Sequence, residues 1–384
     1  MTEIRISSRE AGQRIDKYLK KYFPLAPGSF IYKMLRKKNI TLNGRKAAGS
    51  EIIENGDVIK LFLSDETISS FRRKGETVPD KESSAGSGSV SSGSGSVPYG
   101  SGSVPYGSGL VPYASGLVPY GVRSVPYATG LVSSGSGSMT VLYEDGDIAL
   151  FVKPAGMLSQ PGNGHELSAA DLIPEILLSS GCLHEDDLRA FHPAPLNRLD
   201  RNTSGILLCG LSMKGAQTIS RLIRSGEMKK EYLAIVQGNG LKDGTYSAYA
   251  VKDPKHNRML LSSQPSKNAV DMVTGFHVLG TSDHFSLVKA TLITGRTHQI
   301  RAQLSWLGFP VAGDRKYGTG SAGSESFPKP GRQMLHAFRV TFPENTDPCP
   351  EISGKIFTAD VPDDFRKMAA ALNLKEALGR ALTS

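Results

Sequence analysis

The chain has 384 residues, enough for two domains of ordinary size that each bury a core of their own. Its 45 Lys and Arg residues exceed its 36 Asp and Glu residues by nine, which favours a polyanionic partner, nucleic acid before membrane. Cys182, Cys209 and Cys349 lie far apart without a Cys-x-x-Cys pair, which argues against a disulfide framework or a thiolate zinc site. The charged N-terminus has no apolar segment of a leader, and no apolar run reaches the ~18 residues of a membrane span. We therefore expect a soluble, cytoplasmic protein.

The N-terminal segment predicts two short helices followed by strands. The stretch "QRIDKYLKKYF" has one apolar face, and "GSFIYKMLRKKNI" predicts a second helix with Ser29 as its N-cap. The expected inward positions are Ile15, Tyr18, Leu19, Phe23, Ile31, Met34 and Leu35. Asn43 and Gly44 then predict a tight turn, and "ENGDVIKLFL" predicts a second turn and a strand.

Positive charge is concentrated in this segment. Residues 1–63 hold 13 Lys and Arg against 6 Asp and Glu, so they carry +7 of the total +9. Arg36, Lys37 and Lys38 end the second helix, where cations complement the helix dipole, but that effect explains only one or two of them. Residues 13–63 resemble the small RNA-binding domain first described in a ribosomal small-subunit protein. The resemblance implies that Arg36, Lys37 and Lys38 contact structured RNA.

Gly and Ser dominate the next segment, in which Val-Pro-Tyr recurs every seven residues. The repeats begin at Val97, Val104, Val111, Val118 and Val125. A proline in each repeat forbids a helix, so a coiled coil is excluded and a flexible or polyproline-like linker is predicted. Its evenly spaced tyrosines leave open a second interpretation, binding to bases or partner proteins. We divide the chain into an RNA-binding module at 1–64, a disordered linker at 65–138 and a large domain at 139–384.

The large domain alternates predicted strands with helices. "MTVLYEDGDIALFVKPAGM" predicts two strands around an acidic turn, and "KGAQTISRLIRSG" predicts a helix ended by Gly226. "MKKEYLAIVQG" predicts a strand with Tyr232, Ala234 and Val236 on one face. "SLVKATLITGRTHQIRAQL" predicts a strand, a turn and a helix start, and "PDDFRKMAAALNLKEALGRAL" predicts one terminal helix.

One carboxylate stands out in the stretch "PLNRLDRNTSGILLCG". Asp200 lies between Arg198 and Arg201, directly before an apolar run that predicts a buried strand. Considered alone, an Asp between two arginines is most often a surface ion pair.

Four separated blocks give that carboxylate a context. "EDGDIALFVKPAGM", "NRLDRNTSGILL", "KKEYLAIVQG" and "TGRTHQIRAQL", followed by "GDRKYG" and "MLHA", resemble in content and order the pseudouridine synthases of the large-subunit ribosomal RNA type, the RluA family. The resemblance runs from about residue 141 to residue 363. It implies an α+β fold with a mostly antiparallel mixed sheet flanked by helices, and isomerisation of uridine in RNA.

The resemblance also implies residue roles. Asp200 corresponds to the catalytic carboxylate, which either attacks the nucleoside covalently or removes a sugar proton. Arg301 corresponds to its ion-pair partner, which keeps the acid ionised. Tyr232 corresponds to an aromatic that stacks on the uracil, and Arg198 to a side chain that fills the space left by the flipped base.

Further residues complete the predicted site. Arg201, Arg296 and His298 are assigned to substrate binding, with His298 as a hydrogen-bonding group and not as a general base. The family usually has His where this chain has Asn197, and Asp where it has Asn202. "HEDD" from His184 predicts a solvated turn and not a metal site, and no metal or cofactor is expected because the isomerisation consumes none.

We therefore expect a monomeric pseudouridine synthase that acts on structured RNA, most naturally large-subunit ribosomal RNA. Two alternatives stay open at this point: a transfer-RNA pseudouridine synthase, and a non-catalytic RNA-binding factor of ribosome assembly that kept the fold. The added basic module favours ribosomal over transfer RNA, and an intact set of Asp200, Tyr232 and Arg301 disfavours the non-catalytic factor.

Overall fold

The computed structural model describes residues 1–72, 123–124, 139–162, 166–188, 191–318 and 330–383. Residues 1–72 fold as a small module in which two helices pack on a four-stranded antiparallel sheet of order β1-β4-β2-β3. Its elements are β1 (Thr2–Arg5), α1 (Ile15–Tyr22), α2 (Gly28–Arg36), β2 (Ile40–Leu42), β3 (Arg45–Lys46), β4 (Val58–Leu61) and α3 (Asp65–Ser70).

Apolar periodicity located the module's core correctly. All seven inward positions expected on α1 and α2 are buried, and the turn between β2 and β3 has the left-handed φ angles that Asn43 and Gly44 tolerate. The expected cap is wrong, because α2 begins at Gly28 after Pro27 and Ser29 lies inside the helix. Proline fits this position because it needs no backbone donor at a helix start.

The predicted boundary at residue 64 is too early. Ser64 caps α3, whose Ile68 is fully buried in the module's core. Arg72 is also buried and its guanidinium lies over the ring of Tyr22, 4.2 Å from the centroid. Residues 65–72 therefore belong to the module. The Val-Pro-Tyr repeats lie outside the described residues.

The large unit is built on a mixed β-sheet. Its strands are β5 (Arg123–Ser124), β6 (Thr140–Glu144), β7 (Ile148–Lys153), β8 (Ser204–Gly210), β9 (Lys229–Gln237), β10 (Gly244–Asp253), β11 (Arg258–Ser262), β12 (Val270–Thr281), β13 (Phe285–Leu292), β14 (Leu335–Thr341) and β15 (Ile356–Thr358). Its helices are α4 (Ala169–Ser179), α5 (Met213–Ser225), α6 (Gln299–Trp306), α7 (Asp363–Ala371) and α8 (Lys375–Thr383).

Among the described residues the sheet order is β11-β10-β12-β13-β9-β14-β8-β7-β6-β5, with β15 paired to β14. Among the named strands of the described residues, only the β14–β8 pairing is parallel. The α+β class with a mostly antiparallel mixed sheet is therefore confirmed. Gly205 is required at this pairing: its φ is 117°, and a Cβ there would come within 2.1 Å of the Ala337 carbonyl oxygen.

Helices cover both faces of the sheet's centre. On one face, Leu207 of β8 and Tyr232 of β9 share a core with α4 and α6. On the other face, Ile206 and Leu208 pack with α5, and Leu233 packs with α7 and α8. β8 is consequently buried along its whole length, as its apolar run predicted.

The C-terminus differs from the single helix that the sequence predicts. α7 and α8 are separated at Asn373, whose φ of 58° is left-handed and interrupts the helix. Gly226 ends α5 with a φ of 74°, as predicted. Among the described residues, no helix combines the length and apolar character that crossing a bilayer requires.

The small module contacts the large unit through the loop before α1. The main-chain carbonyl of Arg9 accepts a hydrogen bond from Met213 N at the start of α5, and the Arg9 guanidinium donates to the Cys182 carbonyl at 3.0 Å. Arg9 also faces Asp187 at 3.7 Å, which places one acid of the "HEDD" segment in a contact between the two units. Gln217 donates to the Gly12 carbonyl beside it.

Candidate active site

The loop that carries Asp200 is held by its main chain. Ser159 Oγ accepts from Leu199 N at 3.0 Å and donates to Leu199 O at 2.9 Å. The Asp200 carbonyl accepts from Thr203 N, and the Arg201 carbonyl accepts from Gly156 N at 2.9 Å. Each of these bonds fixes a backbone group close to the carboxylate, so the loop is held in one backbone conformation before β8.

An arginine joins two carboxylates beside this loop. Arg301 Nη1 donates to Asp200 Oδ2 at 2.7 Å, while Nε and Nη2 donate to the two oxygens of Asp314 at 2.6 and 2.8 Å. The planar fork of the guanidinium therefore grips Asp314 with two bonds and Asp200 with one. Arg301 is 7% exposed and Asp314 0%, whereas Asp200 is 24% exposed. Asp200 is thus the carboxylate that solvent or a substrate can reach.

The charges of this cluster stabilise one another. Burial works to raise the pKa of Asp314, but the hydrogen bond and charge of Arg301 outweigh it and hold that pKa below its usual value. Burial works to lower the pKa of Arg301, and the two carboxylates reverse the effect and raise it. The guanidinium is therefore a permanent cation next to Asp200.

Lys153 lies fully buried at the end of β7, under the same loop. Its ammonium donates to the carbonyls of Pro154 and Met157 at 2.8 Å and of Arg201 at 3.1 Å. Burial lowers the pKa of Lys153 to about 7, and the negative charge of Asp200 partly opposes that shift. Three carbonyl acceptors match the three donors of the charged form, which ties β7 to the residue after Asp200.

His298 and Tyr317 form a hydrogen-bonded pair beside Asp200. Tyr317 Oη accepts from Met259 N at 2.7 Å and lies 3.0 Å from His298 Nδ1. This arrangement favours a hydroxyl that donates to Nδ1 and a proton on Nε2, which lies 3.8 Å from Asp200 Oδ1. Burial lowers the pKa of His298, so the ring is neutral near pH 7. Its φ of 54° places it in left-handed backbone directly before α6.

Tyr232 lies on β9 with its ring in the core and 8% of its surface exposed. Burial raises the pKa of its hydroxyl, and the charge of Asp200 raises it further. The hydroxyl therefore stays protonated, and the ring offers an apolar surface close to the carboxylate.

The remaining predicted residues lie further out. The exposed Arg198 side chain makes no hydrogen bond or ion pair within the described ranges. Arg201 pairs with Glu166 at the surface, and Arg296 Nε donates to the Asp271 carbonyl at 3.2 Å. Arg36, Lys37 and Lys38 are exposed on the small module, at the end of α2 and directly after it.

One of the two departures from the RluA pattern, Asn197, has a structural explanation. The Asn197 amide donates to Ile206 O and accepts from Leu208 N at 2.8 Å, so it fastens the start of the loop to β8. Asn202 contributes its main-chain carbonyl, which accepts from Arg332 at 3.1 Å, and its side chain has no structural explanation. Neither position competes with Asp200 for Arg301.

Sequence reasoning missed three residues of this cluster: Asp314, Lys153 and Tyr317. All three stand in motifs that the sequence displays, "GDRKYG" and "VKPAG". The motifs belong to the blocks that carry the family resemblance, but only the folded chain shows that Arg301 has a second carboxylate partner.

Comparison with known proteins shows which family the chain resembles. Residues 147–306 match the family model described as RNA pseudouridylate synthase. A protein named ribosomal large subunit pseudouridine synthase D, from Xylella fastidiosa, is 30% identical over 254 residues, which cover 62% of this chain and 71% of that protein. The chain belongs to the RNA pseudouridine synthase family. Asp200, Tyr232 and Arg301 all lie inside the matched range of this pseudouridine synthase-family protein.

A second sequence relative and a solved structure are also similar to this chain. A Bacillus subtilis protein named uncharacterized RNA pseudouridine synthase YlyB is 34% identical over 185 residues, 47% of this chain and 58% of its own length. The chain therefore spans less than two thirds of that relative. The solved structure of human RNA pseudouridylate synthase domain containing 4 has a TM-score of 0.50 at 22% identity, covering 61% of this chain and 92% of that one, and shows the shared fold.

Proposed function

We propose that this protein isomerises uridine to pseudouridine in RNA, with Asp200 as the catalytic carboxylate. The proposal depends above all on how the two oxygens of Asp200 differ. Oδ2 is held by Arg301 at 2.7 Å, while Oδ1 accepts no hydrogen bond from the described residues and lies 3.8 Å from His298 Nε2, on a side chain that is 24% exposed. One oxygen is thus fixed and the other is available to a substrate.

The surroundings of Asp200 suit either of its two candidate roles. Attack on the nucleoside requires an ionised oxygen, and so does removal of a sugar proton. Arg301 places its cation 2.7 Å from Asp200 Oδ2, and Asp314 keeps Arg301 in place from the buried side. The reaction breaks the bond between C1′ and N1 and forms one between C1′ and C5, and the proton lost from C5 is balanced by one gained at N1, so the isomerisation consumes no external reactant.

The residues around Asp200 offer contacts for an extruded uridine. Tyr232 lies in the core with 8% of its surface exposed, so only the edge of its ring is available to a uracil, and Arg198, which has no partner among the described residues, can enter the space that the base leaves. Arg296 and His298 lie at the start of α6, where they can contact the backbone on either side of the target. Arg201 can bind a phosphate if that phosphate displaces Glu166 from it.

We assign the small basic module to RNA anchoring and the target to large-subunit ribosomal RNA. The name of the Xylella relative supports this target, and the exposed Arg36, Lys37 and Lys38 give the module a cationic surface. The action is that of a cytoplasmic monomer on structured RNA.

Pseudouridine mapping with purified protein tests the assignment. The wild-type protein should form pseudouridine in transcripts of large-subunit ribosomal RNA, and Asp200→Asn should abolish the product while RNA affinity stays within about threefold. Asp360→Asn, at an exposed carboxylate in the same unit, is the matched control and should retain the wild-type rate. Turnover by Asp200→Asn would refute the catalytic role.

The same assay separates the targets. Product in transfer RNA alone would replace the ribosomal target, and RNA binding without product from any RNA would favour an assembly factor. Mapping pseudouridines in RNA from cells with and without the protein would then identify the position.

A further inference from the structure

A short segment directly before β14, residues 332–334, lies between the loop that carries Asp200 and the turn that leads to Asp314. On one side, Met334 N donates to Ala312 O at 2.8 Å, and a Cβ on Gly313 would come within 2.1 Å of Arg332 O. On the other side, Gln333 Nε2 donates to Thr203 Oγ1 at 3.2 Å, and Arg332 Nη1 donates to Asn202 O at 3.1 Å. The segment thus contacts the turn that leads to Asp314 and the loop that carries Asp200.

The Arg332 guanidinium is shared between this loop and the C-terminal helices. Its Nη1 also donates to the carbonyls of Gln333 at 3.0 Å and Leu335 at 3.4 Å. Its Nε and Nη2 donate to the two oxygens of Asp364 at 2.6 and 2.8 Å. Arg332 is 9% exposed and Asp364 51%, so a half-exposed carboxylate on α7 neutralises a buried cation.

We propose that Asp364 and Arg332 form a positioning pair for catalysis, in which Asp364 orients Arg332 and Arg332 fixes the Asp200 loop relative to Arg301 and Asp314. The inference depends on the proposed function, because it assigns the pair a role in that reaction. Both residues lie outside the matched range 147–306, so the proposal extends the site to the C-terminal helices.

The chemistry of the guanidinium explains why Asp364 matters. An Asn at this position presents one oxygen and one amide nitrogen, so one of the two donors of Arg332 then faces another donor. The guanidinium loses its bidentate hold and can turn towards solvent, which removes the donor from Asn202 O. Ser159, Gly156 and Lys153 still anchor the loop. The loop therefore stays folded while Asp200 loses its fixed distance to Arg301, and small misplacements of catalytic groups cost large factors in rate.

The test compares two neighbouring acids of α7. Asp364→Asn should lower the single-turnover rate at saturating RNA by about tenfold or more, with RNA affinity within about twofold. Asp363→Asn removes the same charge from the same first helical turn, and Asp363 makes no side-chain hydrogen bond or ion pair within the described parts of the chain. It should keep the wild-type rate, and Asp364→Glu should recover most of the loss.

Two further measurements separate positioning from general stability. Hydrogen exchange of peptides spanning 197–205 should accelerate in Asp364→Asn but not in Asp363→Asn. Leu378→Ala loosens the buried packing of α7 and α8 and leaves the contacts of Arg332 in place, so it should lower the melting temperature without lowering the rate at 25 °C.

The outcomes distinguish this inference from the proposed function. A wild-type protein that forms no pseudouridine refutes the function, while the exchange comparison still decides whether Asp364 orders the loop. An active wild type with unchanged rate and exchange in Asp364→Asn overturns the positioning pair. A rate loss in Leu378→Ala as large as that in Asp364→Asn overturns it as well, because stability alone would then explain the effect.

Discussion

Replacement of Arg301 by lysine tests the contact that holds the Asp200 carboxylate in place. Arg301 donates three hydrogen bonds of 2.6 to 2.8 Å to two carboxylates from a single rigid plane. A lysine ammonium keeps the charge but is a point donor, and it cannot grip Asp314 with two bonds and contact Asp200 as well.

The size of the expected effect follows from the burial of Arg301 and Asp314. Charge-assisted hydrogen bonds contribute about 1.5 to 3 kcal/mol each, so the loss of one or two costs about 2 to 5 kcal/mol in folding stability. Asp314 is 0% exposed, so water cannot replace the lost donors there. If Asp200 shifts by about 1 Å as a result, the rate of pseudouridine formation should fall about 100-fold.

Single-turnover kinetics at saturating RNA, together with equilibrium RNA binding, measure this effect. We expect Arg301→Lys to lower the rate by about 100-fold or more with RNA affinity within about threefold. Arg315→Lys changes an exposed arginine two residues from the Gly313 turn and is the matched control, with an expected rate near wild type. A rate for Arg301→Lys within threefold of wild type would show that charge alone suffices and that the fork geometry is unimportant.

Three further outcomes are expected. Tyr232→Phe keeps the ring and should retain RNA affinity and most of the rate, so a large rate loss in the same kinetic assay would assign a role to the hydroxyl. Burial lowers the pKa of His336 to about 4 from 6.5, so its contribution to stability is complete above pH 6.5 and declines as the pH falls towards 4. Denaturant unfolding should show wild type losing about 2 kcal/mol between pH 6.5 and pH 5 through this group, and His336→Gln should lack that part of the slope. Deletion of residues 1–72 should reduce the salt dependence of RNA binding, by a slope of nearly one per lost phosphate contact, and an unchanged slope would contradict the anchoring role.

Local patterns in the sequence predicted most secondary-structure elements. The apolar run that ends at Cys209 and the strand around Tyr232 are read directly from residue order, because a continuous apolar run of this length is typical of a strand that is buried on both faces. The ends of elements were less predictable. Ser29 is a good cap by composition, but Pro27 is the N-cap and the helix begins at Gly28. Asn373 divides a helical pattern that looks continuous.

The candidate site was only partly predictable for a physical reason. Asp200 and Arg301 could be paired because the resemblance connects two blocks 101 residues apart. Asp314 and Arg332 hold their partners through contacts that depend on how β14 enters the sheet, and no residue pattern specifies that route. Lys153 could not be assigned to the site from the sequence, because its burial depends on the loop folded over it.

The contact at Arg9 affects the first turn of α5. A helix begins with four amide groups that have no partner inside the helix. In α5, Ser212 N is satisfied by Asp147 O, Gly215 N by Ser212 Oγ, and Met213 N by the carbonyl of Arg9 from the small module. The module thus supplies part of the cap of a helix in the large unit. Because this bond uses the main chain, Arg9→Ala leaves it intact, whereas removal of the module leaves Met213 N to water and makes the first turn of α5 the place where the shortened protein frays.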